Sequence, residues 1–246
     1  MINYTKIVIL GSGRSGTSYI TRMLKDNGVH VGDVTGGTCE NLDMREINDR
    51  CLKVMLNAET RSKLPYGIIP PEELNPPLEF RNVVDEYMNW VDQQYEPVFW
   101  KQGDPVLWVA KDPRTTLLND MWTKHFDVIV GMYRNPVEVV ASYKKLLTSY
   151  YEDPLEAEAN LIQYWKRFNK SLLHVFDTTD KPKFMFDFNQ DINVQIKQLE
   201  KFLDFPLPDS GYDSKQVNQK SDHIYDDPEI NELYNQLRSY NGQNVK

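Results

Sequence analysis

The stretch IVILGSGRSGTSYI, Ile7 to Ile20, constrains the chain more than any other. An apolar, β-branched run ends at Gly11, a short loop with two more glycines follows, and the pattern then turns helical, so a strand, a tight turn and a helix N-terminus succeed one another. Backbone N–H groups in such a turn point into one concavity, and the helix dipole adds partial positive charge, which favours a phosphate or a sulfate. A Walker A loop reads G-x-x-x-x-G-K-[ST]. Gly11 and Gly16 have that spacing, but Thr17 stands where the lysine belongs. What remains beside the backbone is Arg14, with Ser15, Thr17 and Ser18 as hydroxyl donors. This set suits a terminal phosphate with an attached anionic group and makes no demand for magnesium.

The rest of the chain repeats the same alternation. The run VLWVA (Val106 to Ala110) and the run DVIVGMY (Asp127 to Tyr133) each lead through a proline-containing turn into a helical pattern, TTLLNDMWTKHF and PVEVVASYKKLLTSY. A long amphipathic helix is expected around PLEAEANLIQYWKRFNKSLLHVF, a fourth strand at KFMFDF, and a helix INVQIKQLEKFLDF that stops before Pro206, with Gly28 closing the first helix. Strands alternating with helices predict an α/β fold with a three-layer arrangement around a mainly parallel sheet. We expect one domain over residues 1–246, with a core from about 5 to 205 and a lid or tail over 206–246. Leu64 to Phe80 carries five prolines with apolar residues between them and is read as an ordered insertion on the ligand side.

Composition narrows the partners. With 28 basic and 36 acidic residues the formal charge is −8, which argues against a general nucleic-acid binder and requires any anion to be held by a local basic pocket. Cys39 and Cys51 are the only cysteines and form no C-x-x-C pair or Cys/His cluster, so no metal site and a reducing compartment are expected. No window approaches the ~18 apolar residues of a membrane span, and Ile7 to Leu10 is too short for a signal sequence. The expectation is a cytoplasmic protein without a membrane partner.

A second element, YRNPVEVVASYKK, places Arg134 at a strand's carboxyl end and Ser142 eight residues on, in the following helix. Ligands of open α/β sheets bind at that edge, so both residues are expected to face one phosphate. Taken together, GSGRSGTS and RNPVEVVASYKK resemble the 5′-phosphosulfate loop and the 3′-phosphate element of sulfotransferases that use 3′-phosphoadenosine 5′-phosphosulfate (PAPS), in the same order and separation. The resemblance runs from about Lys6 to Lys145 and implies a P-loop NTPase-like sulfotransferase fold. It also implies PAPS as co-substrate, its product adenosine 3′,5′-bisphosphate (PAP), and cofactor contacts from Gly13, Arg14, Ser15, Gly16, Thr17, Ser18, Arg134 and Ser142.

Two further stretches resemble the branch that includes bacterial and tyrosylprotein sulfotransferases. WVAKDPRTTLL is similar to its K-D-P element, which makes Lys111 a catalytic candidate beside Arg14. CENLDMREINDRCL is similar to the segment that carries a glutamate base, the matching position being Glu40, with Glu46 as competitor. The four histidines lie outside these motifs; His30, the nearest in sequence, is read as packing at the end of the first helix. Tyr19 stands where relatives often carry an aromatic residue near the adenine. One turn after Ser142, where the family often has a basic residue, stands Leu146, and Lys144 and Lys145 are the candidates to replace it. Lys220 and Ser221 in QVNQKSDHI are candidates for a cover over the cofactor. Sulfuryl transfer is an in-line displacement with charge spread over peripheral oxygens, so cations and positioning carry it, and a carboxylate takes the acceptor's proton. The expected acceptor is a hydroxyl, or less readily an amine, on a small molecule, glycan or peptide. A P-loop nucleotide kinase and a non-catalytic nucleotide-binding module are the alternatives; the first lacks its lysine, the second has no need of Lys111 or Glu40.

Overall fold

In the computed structural model the described residues are 4–56, 74–99, 106–147, 154–207, 221 and 223–241. Strands β1 (Thr5–Gly11), β2 (Leu107–Lys111), β3 (Val128–Tyr133) and β4 (Lys183–Asp187) form one parallel sheet in the order β2-β1-β3-β4. Their apolar runs match burial on both faces, which is the condition of a parallel sheet. Val8 and Leu10 of β1 point to one core, and Ile7 and Ile9 to the other. The first core is closed by α2 (Leu42–Met55), α3 (Leu78–Phe99), α5 (Pro136–Leu147) and α6 (Pro154–Thr178). The second is closed by α1 (Thr17–Asp26) and α7 (Ile192–Leu203), which completes the three layers of the expected α/β fold.

β1 lies between β2 and β3, so the chain leaves it to one side and returns on the other. That reversal opens a crevice at the carboxyl ends of β1 and β3, where Ser12 to Gly16 and Arg134 emerge. Gly28 closes α1 in the left-handed region at φ 90°, as its position after the helical pattern implies.

Two expectations are corrected. TTLLNDMWTKHF is not one helix: it divides into a 3₁₀ turn at Pro113–Thr116, the short α4 (Asn119–Trp122) and a second 3₁₀ turn at Thr123–His125. Side chains outcompete the helical ladder there. Thr116 Oγ1 accepts from the Gly11 amide (2.7 Å) and donates to the Gly11 carbonyl (3.2 Å), while Asn119 Nδ2 donates to the Thr116 carbonyl (3.0 Å) and to Ser171 Oγ (3.1 Å). Nor does the core end at about residue 205. Helix α8 (Pro228–Ser239) buries Ile230, Leu233, Tyr234 and Leu237 against the first core, with Tyr234 edge-on to Tyr133. Asp227 caps α8 by accepting from Glu229 N (2.9 Å) and Ile230 N (3.1 Å), and Lys166 Nζ on α6 clamps its start through Asp227 and Glu229, each at 2.7 Å. Most of the proline-rich stretch 64–80, up to residue 73, lies outside the described residues, as does Lys220. Among the described residues no helix is long and apolar enough to cross a membrane.

Candidate functional site

The loop after β1 folds on itself. Ser15 N and Ser15 Oγ both donate to the Ser12 carbonyl, at 3.4 and 2.6 Å, and the chain turns through positive φ at Arg14 (66°) and Gly16 (98°). Residues of alternating hand bring successive N–H groups to one side, and no side chain caps α1 at Gly16, so the helix start stays available to an anion. A Cβ at Gly16 would overlap the Phe188 ring, which is why only glycine serves there. Two loop residues are turned differently from the expected cradle. The Gly13 amide donates to the Tyr164 hydroxyl (3.2 Å), itself paired with the Tyr143 hydroxyl (3.0 Å), and the Ser15 hydroxyl is spent inside the loop. Thr17 is buried at the first turn of α1, and Tyr19 packs edge-on against Phe188.

Arg14, Arg134 and Ser142 come together at the carboxyl end of the sheet. The exposed Arg14 side chain donates from Nε to Ser142 Oγ (2.8 Å), and Arg134 Nη1 donates to the Arg14 carbonyl (3.4 Å). Arg134 lies over the Phe188 ring, with 5.3 Å from its central carbon to the ring centroid, and its carbonyl accepts from Trp165 Nε1 (2.9 Å). Its Nε is held by Glu138 Oε2 at 2.6 Å, whereas Nη2 is buried without a hydrogen-bond partner among the described residues. A buried guanidinium nitrogen left unpaired is a donor waiting for an acceptor. Ser12 Oγ is a second buried atom without a partner, in the loop itself. Lys144 is paired with Glu158.

The second half of the site grows from β2. Lys111, the last residue of that strand, is 2% exposed and donates from Nζ to the Thr38 carbonyl (3.0 Å) and Ser18 Oγ (3.3 Å). Burial pushes its ammonium below the ordinary lysine pKa, opposed by the charges of Glu40 and Asp112. Glu40 reaches it because Asn41 N donates to the Lys111 carbonyl (2.8 Å), and the preceding turn is tied by Thr35 N to the Glu40 carbonyl and Glu40 N to Thr35 Oγ1, both 2.9 Å. Asn41 then caps α2 by accepting from Met44 N (3.0 Å). The buried Glu40 carboxylate lies 3.8 Å from each of three cations, Lys111 Nζ, Arg114 Nη1 and Arg45 Nε. Glu46 is exposed on α2, and His30 pairs with β2 at Trp108, three residues before Lys111, with its ring against Tyr95.

Arg114 and Glu138 were not singled out from sequence. Arg114 holds Asp49 (2.7 Å) and Asp112 (2.8 Å) behind Glu40. Glu138 stands four residues after Arg134, and that helical spacing was the available signal. Among the described residues no group of three or more His, Cys, Asp or Glu is arranged to hold a metal.

No protein-family model and no curated protein matches the sequence. Among solved structures the chain is similar to the sulfotransferase domain from the curacin biosynthetic pathway, at 16% identity and a TM-score of 0.46, covering 94% of this chain and 83% of that one. It is similar to sulfotransferase STF1 from Mycobacterium tuberculosis H37Rv at 15% identity and TM-score 0.46, covering 97% and 78%. Sulfotransferase STF9 from Mycobacterium avium is similar at 16% identity and TM-score 0.46, covering 84% of this chain and 65% of that one. Kinases match at lower TM-scores. At these scores and identities the likeness is one of α/β architecture and carries no weight for the chemistry.

Proposed function

We propose that the chain is a PAPS-dependent sulfotransferase (EC 2.8.2 class) that transfers a sulfuryl group to a hydroxyl, or less readily an amine, of a small-molecule, glycan or peptide acceptor. One observation carries the reading. Arg14 from the first loop meets Ser142 from the second element at 2.8 Å, beside an Arg134 whose buried Nη2 has no partner. Two guanidinium groups and a hydroxyl at one helix start fit a ligand with two separate anionic groups, as the 5′ and 3′ positions of PAPS present.

PAPS supplies an activated sulfuryl group. The residues of the chain do the rest. Arg14 and the start of α1 hold the 5′ end, and Arg134 and Ser142 hold the 3′-phosphate. Lys111, whose Nζ already touches Ser18 of the loop helix, supplies positive charge where peripheral oxygens gain charge. Glu40, 3.8 Å from Lys111, accepts the proton of the acceptor hydroxyl. A cytoplasmic setting rests on the two free, buried cysteines.

Calorimetry with PAP and with ATP, each with and without magnesium, tests the reading. The expected result is tighter binding of PAP and no magnesium requirement, followed by transfer of labelled sulfate from PAPS to some member of an acceptor panel. Equal affinity for the two nucleotides, or binding only with magnesium, overturns it in favour of a kinase.

A further inference from the structure

Glu138 is buried on the first turn of α5 and joins three parts of the chain. Its Oε2 accepts from Arg134 Nε (2.6 Å), and its Oε1 accepts from Asn189 Nδ2 (2.9 Å) and from the Ser221 amide (2.7 Å). The ring closes through Asn135: Asn135 N donates to Asn189 Oδ1 (2.6 Å), and Asn135 Nδ2 donates to the carbonyls of Ser221 (2.9 Å) and His223 (3.0 Å). The chain at Ser221 is thus fastened, through backbone atoms, to the carboxylate that fixes the anion-binding guanidinium.

Two effects of Glu138 on an anion at Arg134 oppose each other. Its negative charge weakens the attraction, and its geometry fixes the direction of the guanidinium. Among the described residues the Arg134 guanidinium has two hydrogen-bond acceptors, Glu138 at 2.6 Å and the Arg14 carbonyl at 3.4 Å. Without the carboxylate, the buried cation would keep only the longer hydrogen bond and its packing on the Phe188 ring, neither of which fixes its direction, and would turn away from the site. Position therefore outweighs charge.

We propose that Glu138 is a positioning residue, acting through Arg134, that makes anion capture by Arg134 and seating of the chain at Ser221 one linked event. Linkage is reciprocal, so the anion must stabilise the Ser221 contact by the factor by which that contact strengthens anion binding. The inference takes from the proposed function only the identity of the anion, a 3′-phosphate.

The test combines hydrogen exchange at the Ser221 amide with calorimetry of PAP and of adenosine 5′-phosphate, which lacks the 3′ group. In the parent protein PAP should slow Ser221 exchange and adenosine 5′-phosphate should not. Glu138→Gln, which keeps the shape, should bind PAP at least about tenfold more weakly, leave adenosine 5′-phosphate within about twofold, and abolish the slowing of Ser221 exchange by PAP. A variant that binds PAP as tightly as the parent, or more tightly, shows that charge outweighs position and overturns the proposal. Ser221→Pro, which removes the amide proton and leaves the Arg134–Glu138 pair in place, guards against a misfolded Glu138→Gln; parental PAP affinity in it overturns the linkage. If the parent itself fails to distinguish the two nucleotides, the donor reading falls. The coupling is then read with inorganic phosphate: weaker binding in Glu138→Gln upholds it and unchanged binding overturns it.

Discussion

Replacing Glu40 by glutamine keeps the side chain's shape and removes its charge and its capacity to take a proton. At 3.8 Å and an effective dielectric constant of ~20, its attraction to a buried cation is about 4 kcal/mol before desolvation is counted. Arg114 retains Asp49 at 2.7 Å and Asp112 at 2.8 Å, so the loss falls on Lys111, whose hydrogen bonds go to the neutral Thr38 carbonyl and Ser18 hydroxyl. Relief of the carboxylate's own desolvation offsets most of the lost attraction, leaving a net destabilisation of about 1–3 kcal/mol. Catalysis should suffer more. Loss of a general base costs ~10²- to 10⁴-fold, or about 3–5 kcal/mol in the barrier. The Lys111 pKa, already lowered by burial, should fall further once the opposing charge of Glu40 is gone. Activity that needs the ammonium persists below that pKa and fails as pH rises through it, so the alkaline limb of the variant should move to lower pH. The assay is initial rate at saturating PAPS across pH, with PAP affinity by calorimetry and Glu46→Gln as control. Near-parental turnover in Glu40→Gln with a crippled Glu46→Gln refutes the assignment of the base. An unmoved alkaline limb refutes the coupling to Lys111.

Arg134→Ala should lose about 1.5–3 kcal/mol of PAP affinity, the worth of a charge-assisted hydrogen bond, and unchanged calorimetric binding would remove Arg134 from the anion site. Gly16→Ala should destabilise the fold by about 1–3 kcal/mol in urea melts, because φ is 98° and the new methyl group meets Phe188. Leu237→Ala, at a fully buried position of α8, should cost about 2–5 kcal/mol; a neutral result would mean that α8 is not part of the core. The clamp on α8 predicts a pH dependence. Asp227 and Glu229 have pKa values lowered chiefly by hydrogen bonds to Lys166, so their contribution is present above the ordinary carboxylate range and is lost as pH falls through the lowered values. Both are largely solvated, so the effect is small, and Lys166→Met should flatten the acid side of the stability curve.

Much of this protein is local and therefore readable from its residues. The four strands are apolar runs that suit a sheet buried on both faces, and α1, α6 and α7 follow from helical spacing, α7 with Asp191 as its cap. In a parallel sheet every strand-to-helix turn opens at the same edge, so the first loop, Lys111 and Arg134 had to share one side of the molecule. That Arg14 reaches Ser142, 128 residues away, was decided by the tertiary structure. Contacts across long stretches of chain followed no local pattern. Glu40 and Glu46 look alike in sequence; the hydrogen bond from Asn41 to the Lys111 carbonyl, across the gap between α2 and β2, turns the first into the site and leaves the second on the surface. TTLLNDMWTKHF has helical spacing, yet Thr116 is captured by Gly11 of β1 and breaks it. The polar, charged face of α8 hides four core residues until Lys166 and the first core give them a place. The orientation of Arg134 depends on Glu138, on which Asn189 and the Ser221 amide also converge from distant parts of the chain. Periodicity reports which face of an element is apolar. Which distant side chain satisfies a given buried polar group is decided only when the layers close.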